Sequence, residues 1–184
     1  MKIVFEGLPG AGKSTLARVV ADHFGCPLIE EWAVFTEPRW KSFSLVKDHY
    51  QANDELKDYL AHMFSGPVVL DRHYLGALAY ARNQSEQEYR KALRWYREAQ
   101  KEERLHPADL VVLLEIDGGL SLQRQPRAGA HEAYSGEQNL QRIKKYYEEF
   151  FREVEPATRV EKVDAIRPLD EVKSEVISLL AEFL

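Results

Sequence analysis

Residues 7–14 read Gly-Leu-Pro-Gly-Ala-Gly-Lys-Ser, three glycines closed by a lysine and a hydroxyl. The run Lys2–Phe5 before them is short and β-rich, and the segment from Lys13 to about Phe24 after them is strongly helical. A glycine-rich turn between a strand and a helix brings backbone N–H groups close to a ligand, and the helix adds its unpaired amides and the positive end of its dipole. That combination cradles phosphate. The cradle consists of Gly7, Pro9, Gly10, Ala11, Gly12 and Lys13, with Lys13 directed at the β- and γ-phosphates of ATP. Ser14 is the expected hydroxyl ligand of Mg²⁺, and Thr15 a further phosphate contact.

The remaining pattern extends the strand–helix alternation. Strands are expected at Cys26–Glu31, Val68–Asp71, Leu110–Ile116 and Arg159–Val163, and helices over about 44–64, 85–105, 137–153 and 169–183. No hairpin signal joins consecutive strands, so the connections are crossovers and the sheet is parallel. The fold expected is doubly wound α/β, a five-stranded parallel sheet with helices on both faces, in a single domain over 1–184. The polar, glycine-containing stretch at about 118–136 reads as a mobile lid.

Composition narrows the function. The chain has 184 residues, 45% hydrophobic and 30% charged, enough to bury one core without disulfides. Its net charge of −5 gives no electrostatic reason for a nucleic-acid partner. Cys26 is the single cysteine, which suits a reducing cytoplasm and rules out a cysteine-based zinc site. Neither a signal peptide nor a membrane span is expected.

Two further sets of residues carry chemistry. Asp71-Arg72-His73 ends the third strand, at the carboxyl edge where α/β sheets bind ligands. Asp71 can hold Mg²⁺ directly or through water, Arg72 can grip an acceptor, and His73 is a candidate acceptor contact. Arg124 and Arg127 are three positions apart, so on one helical turn they would share a face and embrace a transferring phosphoryl group. A guanine-reading Asn-Lys-x-Asp segment does not occur, which argues against a GTPase.

Phe5-Glu6-Gly7 leading into the loop, Asp71-Arg72-His73 with Ala79-Tyr80, Ala108-Asp109-Leu110 and the arginine-rich lid together resemble the thymidylate kinase superfamily, which includes the deoxynucleoside kinases. The resemblance covers nearly the whole chain. It implies that Arg124 and Arg127 approach the phosphoryl group in flight, that Glu132 is the lid glutamate, and that Asp164 and Ala165 border the adenine. It also implies a base-reading region near Gln51 and Asn53, with Trp32, Phe35 or Tyr50 stacking, and a possible homodimer. Gly76 stands near the position where thymidylate kinases carry a serine, and Pro9 and Ile29-Glu30-Glu31-Trp32 also depart from their pattern.

The acceptor is open between a nucleoside and a nucleoside monophosphate. A 5′-hydroxyl must lose a proton on attack and wants a carboxylate base, whereas a monophosphate already presents an ionised oxygen. In the deoxynucleoside kinase branch the base is a glutamate ending the second strand, and Glu30-Glu31 occupy that place here, with Glu37 ranked behind them. Adjacent strand residues face opposite ways, so one of the pair serves. The alternatives are a kinase for another small alcohol, such as an antibiotic or sugar, and a non-catalytic ATP-binding module.

Overall fold

The computed structural model of the chain describes residues 1–31, 43–125, 136–154 and 156–184, with side chains of the second segment described from residue 50. The elements in order are β1 (Lys2–Gly7), α1 (Lys13–Phe24), β2 (Leu28–Ile29), α2 (Phe43–His62), β3 (Val68–Asp71), α3 (Tyr74–Gln84), α4 (Glu86–Lys101), β4 (Leu110–Glu115), α5 (Gly118–Arg124), α6 (Glu137–Glu153), β5 (Arg159–Asp164) and α7 (Leu169–Leu180). The strands form one parallel sheet in the order β2-β3-β1-β4-β5, in accord with the doubly wound expectation.

This order follows from the burial each strand can tolerate. β1, β3 and β4 are near-continuous apolar runs, and in the sheet β1 and β3 are buried throughout while β4 is buried up to Glu115. β5 carries four charged residues and only two apolar ones, Val160 and Val163, and lies at one edge. β2, at the other edge, is the two residues Leu28 and Ile29, opposite Val69 and Leu70. It is shorter than the run Cys26–Glu31 suggested, so Glu30 and Glu31 lie just past the strand.

The helices bury narrow apolar faces. α6 buries Leu140, Ile143, Tyr147, Phe150 and Phe151, spaced three and four apart, and packs on α3. α4 buries Ala92, Tyr96 and Ala99, and its first turn is fixed by Ser85, whose hydroxyl accepts the Glu88 N–H at 3.1 Å. α1 and α7 pack together as a separate group. α1 stops at Gly25, in the left-handed conformation, with Cys26 N–H donating to Ala21 O at 2.9 Å. Phe5 is fully buried between these layers, and a side chain of that size contributes roughly 1.5–3 kcal/mol by leaving water.

Two helices were not foreseen. α3 begins directly after the Asp71-Arg72-His73 turn, and α5 occupies the start of the stretch read as a helical or loop lid. The carboxylate of Asp117 caps α5 by accepting the Leu120 N–H at 2.6 Å, and two adjacent glycines at its start masked the helical pattern. Residues 126–135, the rest of the expected lid, lie outside the described residues. Among the described residues no helix is long and apolar enough to cross a membrane.

Candidate active site

β3 and β4 flank β1 on opposite sides, so the chain reverses its winding at the carboxyl end of β1, where α/β sheets leave a ligand crevice. The glycine-rich loop starts there. Gly7 has φ +142, and a Cβ on it would stand 2.5 Å from the Leu114 carbonyl oxygen, so the tight approach of β1 to β4 demands glycine. Gly10 and Gly12 take positive φ as well, turning the loop into the first turn of α1, where Ser14 and Thr15 are exposed. α5 leans on this loop, with Ser121 Oγ donating to Pro9 O at 2.7 Å.

Lys13 is only 5% exposed and donates to Leu8 O at 2.8 Å, so its ammonium lies along the floor of the loop. Burial, with the nearby Arg72 charge adding to it, brings its pKa down to about 7, against the opposing pull of Glu31, Glu6 and Asp71. Such a lysine is short of negative charge, which a triphosphate would supply.

Arg72 is the centre of the charged turn at the end of β3. Its Nε lies 2.8 Å from Glu31 Oε1, a guanidinium nitrogen lies 3.9 Å from Glu6 Oε2, and the same nitrogen points at Gly7 O at 3.5 Å. Burial raises the Glu31 pKa, but Arg72 and then Lys13 outweigh it and hold the carboxyl below its ordinary value. Glu30 faces the other way, paired at the surface with Arg18. The structure thus separates the two glutamates that the sequence left equivalent.

Beneath Arg72 lies a layer that sequence reasoning did not assign. Glu6 is fully buried, accepting from the backbone N–H of His73 at 2.8 Å and from Tyr147 Oη at 3.1 Å, and burial raises its pKa. A carboxylate inside an otherwise apolar strand was the available clue. A Cβ on Gly76 would stand 3.2 Å from Tyr147 Oη and 3.3 Å from both Glu6 oxygens, which accounts physically for glycine where a serine was anticipated. Lys57 of α2 donates to Asp71 O at 2.6 Å and Arg72 O at 2.7 Å. One lysine on a charged helix gave no sequence signal.

The other candidates are distributed around this centre. Asp71 is buried at the end of β3, and its Oδ1 has no hydrogen-bond partner among the described residues. An orphaned buried carboxylate oxygen at the crevice, together with the exposed Ser14 hydroxyl, fits a hard divalent cation such as Mg²⁺. The His73 imidazole is buried against Tyr74 and 3.9 Å from Asp58, under the turn, and burial lowers its pKa to about 3. Gln51 is half-buried on α2, near the buried Asp54 that accepts from Tyr96 Oη at 2.8 Å. Arg124 donates to Ala165 O at 2.9 Å and points at Gly10 O at 3.5 Å, linking α5, the loop and the end of β5. Asp164 is exposed and accepts the Ile166 N–H at 3.0 Å. Arg127, Glu132, Glu37, Trp32 and Phe35 lie outside the described residues.

A parallel five-stranded sheet, a glycine-rich loop after its central strand and a charged turn at the neighbouring strand end define a P-loop α/β fold. The chain belongs to the AAA domain family, whose model matches residues 2–162. Among curated proteins none matches in sequence. Solved structures of deoxyadenosine kinase from M. mycoides share the fold. The structure with bound dCTP superposes with a TM-score of 0.76 at 20% identity, covering 99% of this chain and 100% of that one. The structure with the products dCMP and a flexible dCDP gives 0.75 at 18% identity, with the same coverage. The structure with bound dATP gives 0.75 at 18%, covering 98% of this chain and 100% of that one. The resemblance read from the motifs therefore extends to the fold.

Proposed function

We propose that this protein is an ATP-dependent phosphotransferase whose acceptor is the 5′-hydroxyl of a nucleoside. The observation that carries the reading is the Arg72–Glu31 pair at the mouth of the phosphate loop, 2.8 Å apart. A carboxylate there serves a hydroxyl acceptor and has no task for an acceptor that is already ionised. The fold's likeness to deoxyadenosine kinases supports the same reading.

The residues divide the work as follows. The loop amides and Lys13 hold the β- and γ-phosphates of ATP, and Lys13 regains its full charge as they arrive. Ser14 and Asp71 would hold Mg²⁺, which neutralises charge on the phosphate oxygens. Arg72 orients the acceptor oxygen, and Glu31 takes its proton as that oxygen attacks the γ-phosphorus. The bond from the γ-phosphorus to the bridging oxygen breaks, and ADP leaves. The low pKa of Glu31 suits late proton transfer, once the forming P–O bond has made the hydroxyl acidic. Arg124, at the junction of loop and α5, and Arg127 complete the positive environment.

The test is ADP release with Mg-ATP against nucleosides, their 5′-monophosphates and unrelated small alcohols. Turnover with nucleosides is expected. Turnover with monophosphates alone would remove the base role of Glu31, turnover with another alcohol would reassign the acceptor, and bound ATP without turnover would mark a non-catalytic module.

A further inference from the structure

Arg72 has a φ of +66, a left-handed conformation that a long side chain rarely adopts. A residue held there is strained, and the conformation persists only where the surroundings enforce it. The restraint is visible on both sides of the residue. Its N–H donates to Phe5 O at 3.0 Å, which anchors it to β1. Its carbonyl and that of Asp71 both accept from one atom, Lys57 Nζ, at 2.7 and 2.6 Å.

Lys57 is an unusual source for that anchor. It comes from α2, and its whole residue is only 4% exposed, although burying an ammonium is expensive unless its hydrogens are used. Two of its three hydrogens go to successive backbone carbonyls, a pattern that grips a peptide unit rather than neutralising an acid. Burial lowers its pKa, and the charges of Asp54 first, then Glu31 and Asp71, pull the other way without reversing it.

We infer that Lys57 is a positioning residue: it clamps the Asp71-Arg72 peptide so that Arg72 stays left-handed and aims its guanidinium at Glu31. It does this from the layer beneath the acceptor side, without contact with the reacting atoms. Removing the ammonium takes a hydrogen bond from each of these two carbonyls and lets Arg72 relax to negative φ, which turns the side chain away from Glu31. The kinetic consequence rests on the proposed phosphotransfer, but the geometric one does not.

The experiment compares wild type, Lys57→Met, Arg72→Ala and the double variant. The first readout is the Arg72 Nε–H resonance of the nucleotide-free protein, assigned by its loss in Arg72→Ala. In Lys57→Met it is expected to shift to the position of a solvent-exposed arginine, and an unchanged resonance would overturn the inference. The second is turnover, with ATP affinity measured alongside. Lys57→Met is expected to lower kcat by roughly tenfold or more with ATP affinity kept within about twofold, and the double variant to be no slower than Arg72→Ala, because the lysine acts through the arginine. Losses that multiply would overturn the inference. If wild type turns over no acceptor, the proposed function fails and the resonance alone decides on Lys57. If Lys57→Met does not fold, Lys57→Gln replaces it, since its amide restores one of the two carbonyl bonds and a partial shift is then expected.

Discussion

Arg72 Nε stands 2.8 Å from Glu31 Oε1, while Glu30, the preceding residue, turns outward to pair with Arg18 at the surface. The backbone alternation at the end of β2 sends one carboxylate into the crevice and the other into solvent. Proposed chemistry at this site therefore concentrates on one glutamate. Glu31→Gln is expected to lower kcat by about 10²–10⁴, the usual worth of a general base, while ATP affinity stays near wild type. Glu30→Gln is expected to change turnover little. Steady-state ADP release for both variants checks this, and equal losses would show that the pair acts together.

Lys13 gives a prediction in protons rather than rate. With its free-state pKa near 7, most of its ammonium is deprotonated at pH 8, and a bound triphosphate restores the ordinary high value. ATP binding should take up close to one proton at pH 8 and almost none near pH 5.5, by linkage between the two pKa values. Calorimetric titrations in buffers of different ionisation enthalpy measure the uptake directly, and Lys13→Met should abolish it.

Gly7 tests how closely the sheet is packed under the loop. Its Cβ position lies 2.5 Å from the Leu114 backbone oxygen at φ +142, so Gly7→Ala must part β1 from β4 and strain the backbone. A loss of at least roughly 1–3 kcal/mol is expected. Thermal denaturation should show it as a lowered Tm, together with weakened ATP binding because the loop is displaced.

Asp58 organises a polar cluster behind the Asp71-Arg72-His73 turn. It is 1% exposed, pairs with the Lys2 ammonium, and lies 2.7 Å from His106 Nδ1, 3.5 Å from His62 Nδ1 and 3.9 Å from His73 Nε2. Burial raises its pKa, but His73 and Lys2 more than reverse this and hold the carboxyl well below the ordinary range. A depressed carboxyl stabilises fully above the pKa of an unfolded aspartate and loses that contribution as pH falls towards its folded value. Asp58→Asn, which takes the charge partner from the Lys2 ammonium and leaves it the His106 carbonyl, is expected to cost about 3–5 kcal/mol near neutral pH. The loss relative to wild type should shrink in acid. Chemical denaturation at pH 7 and pH 3 measures both.

Much of the fold was legible in the sequence because its signals are local. A glycine-rich turn between Phe5 and Lys13, apolar runs such as Leu110–Glu115 and the helical spacing over Glu137–Glu153 each carry their own periodicity. The two unforeseen helices had weak local signals, α3 because its residues are apolar or small on most faces and α5 because it opens on two glycines. The phosphate loop was legible for the same reason: its chemistry is contained within eight consecutive residues.

The cluster around Arg72 was not, since its geometry is made of long-range contacts. The sequence reading put forward Asp71, Arg72 and a glutamate near residue 30 for one site, but both glutamates had the same charge and nearly the same position. Only the packing of β2 beside β3 decided that Glu31 meets Arg72. Glu6, Tyr147 and Gly76 come from β1, α6 and α3, and nothing along the chain relates them until the helices close over the sheet. Lys57 reaches two carbonyls fourteen and fifteen residues away, and its burial is set by the layer around it rather than by its neighbours in sequence. Local propensity and spacing fixed the phosphate cradle, and burial of charge among distant elements fixed the direction in which Arg72 and Glu31 face.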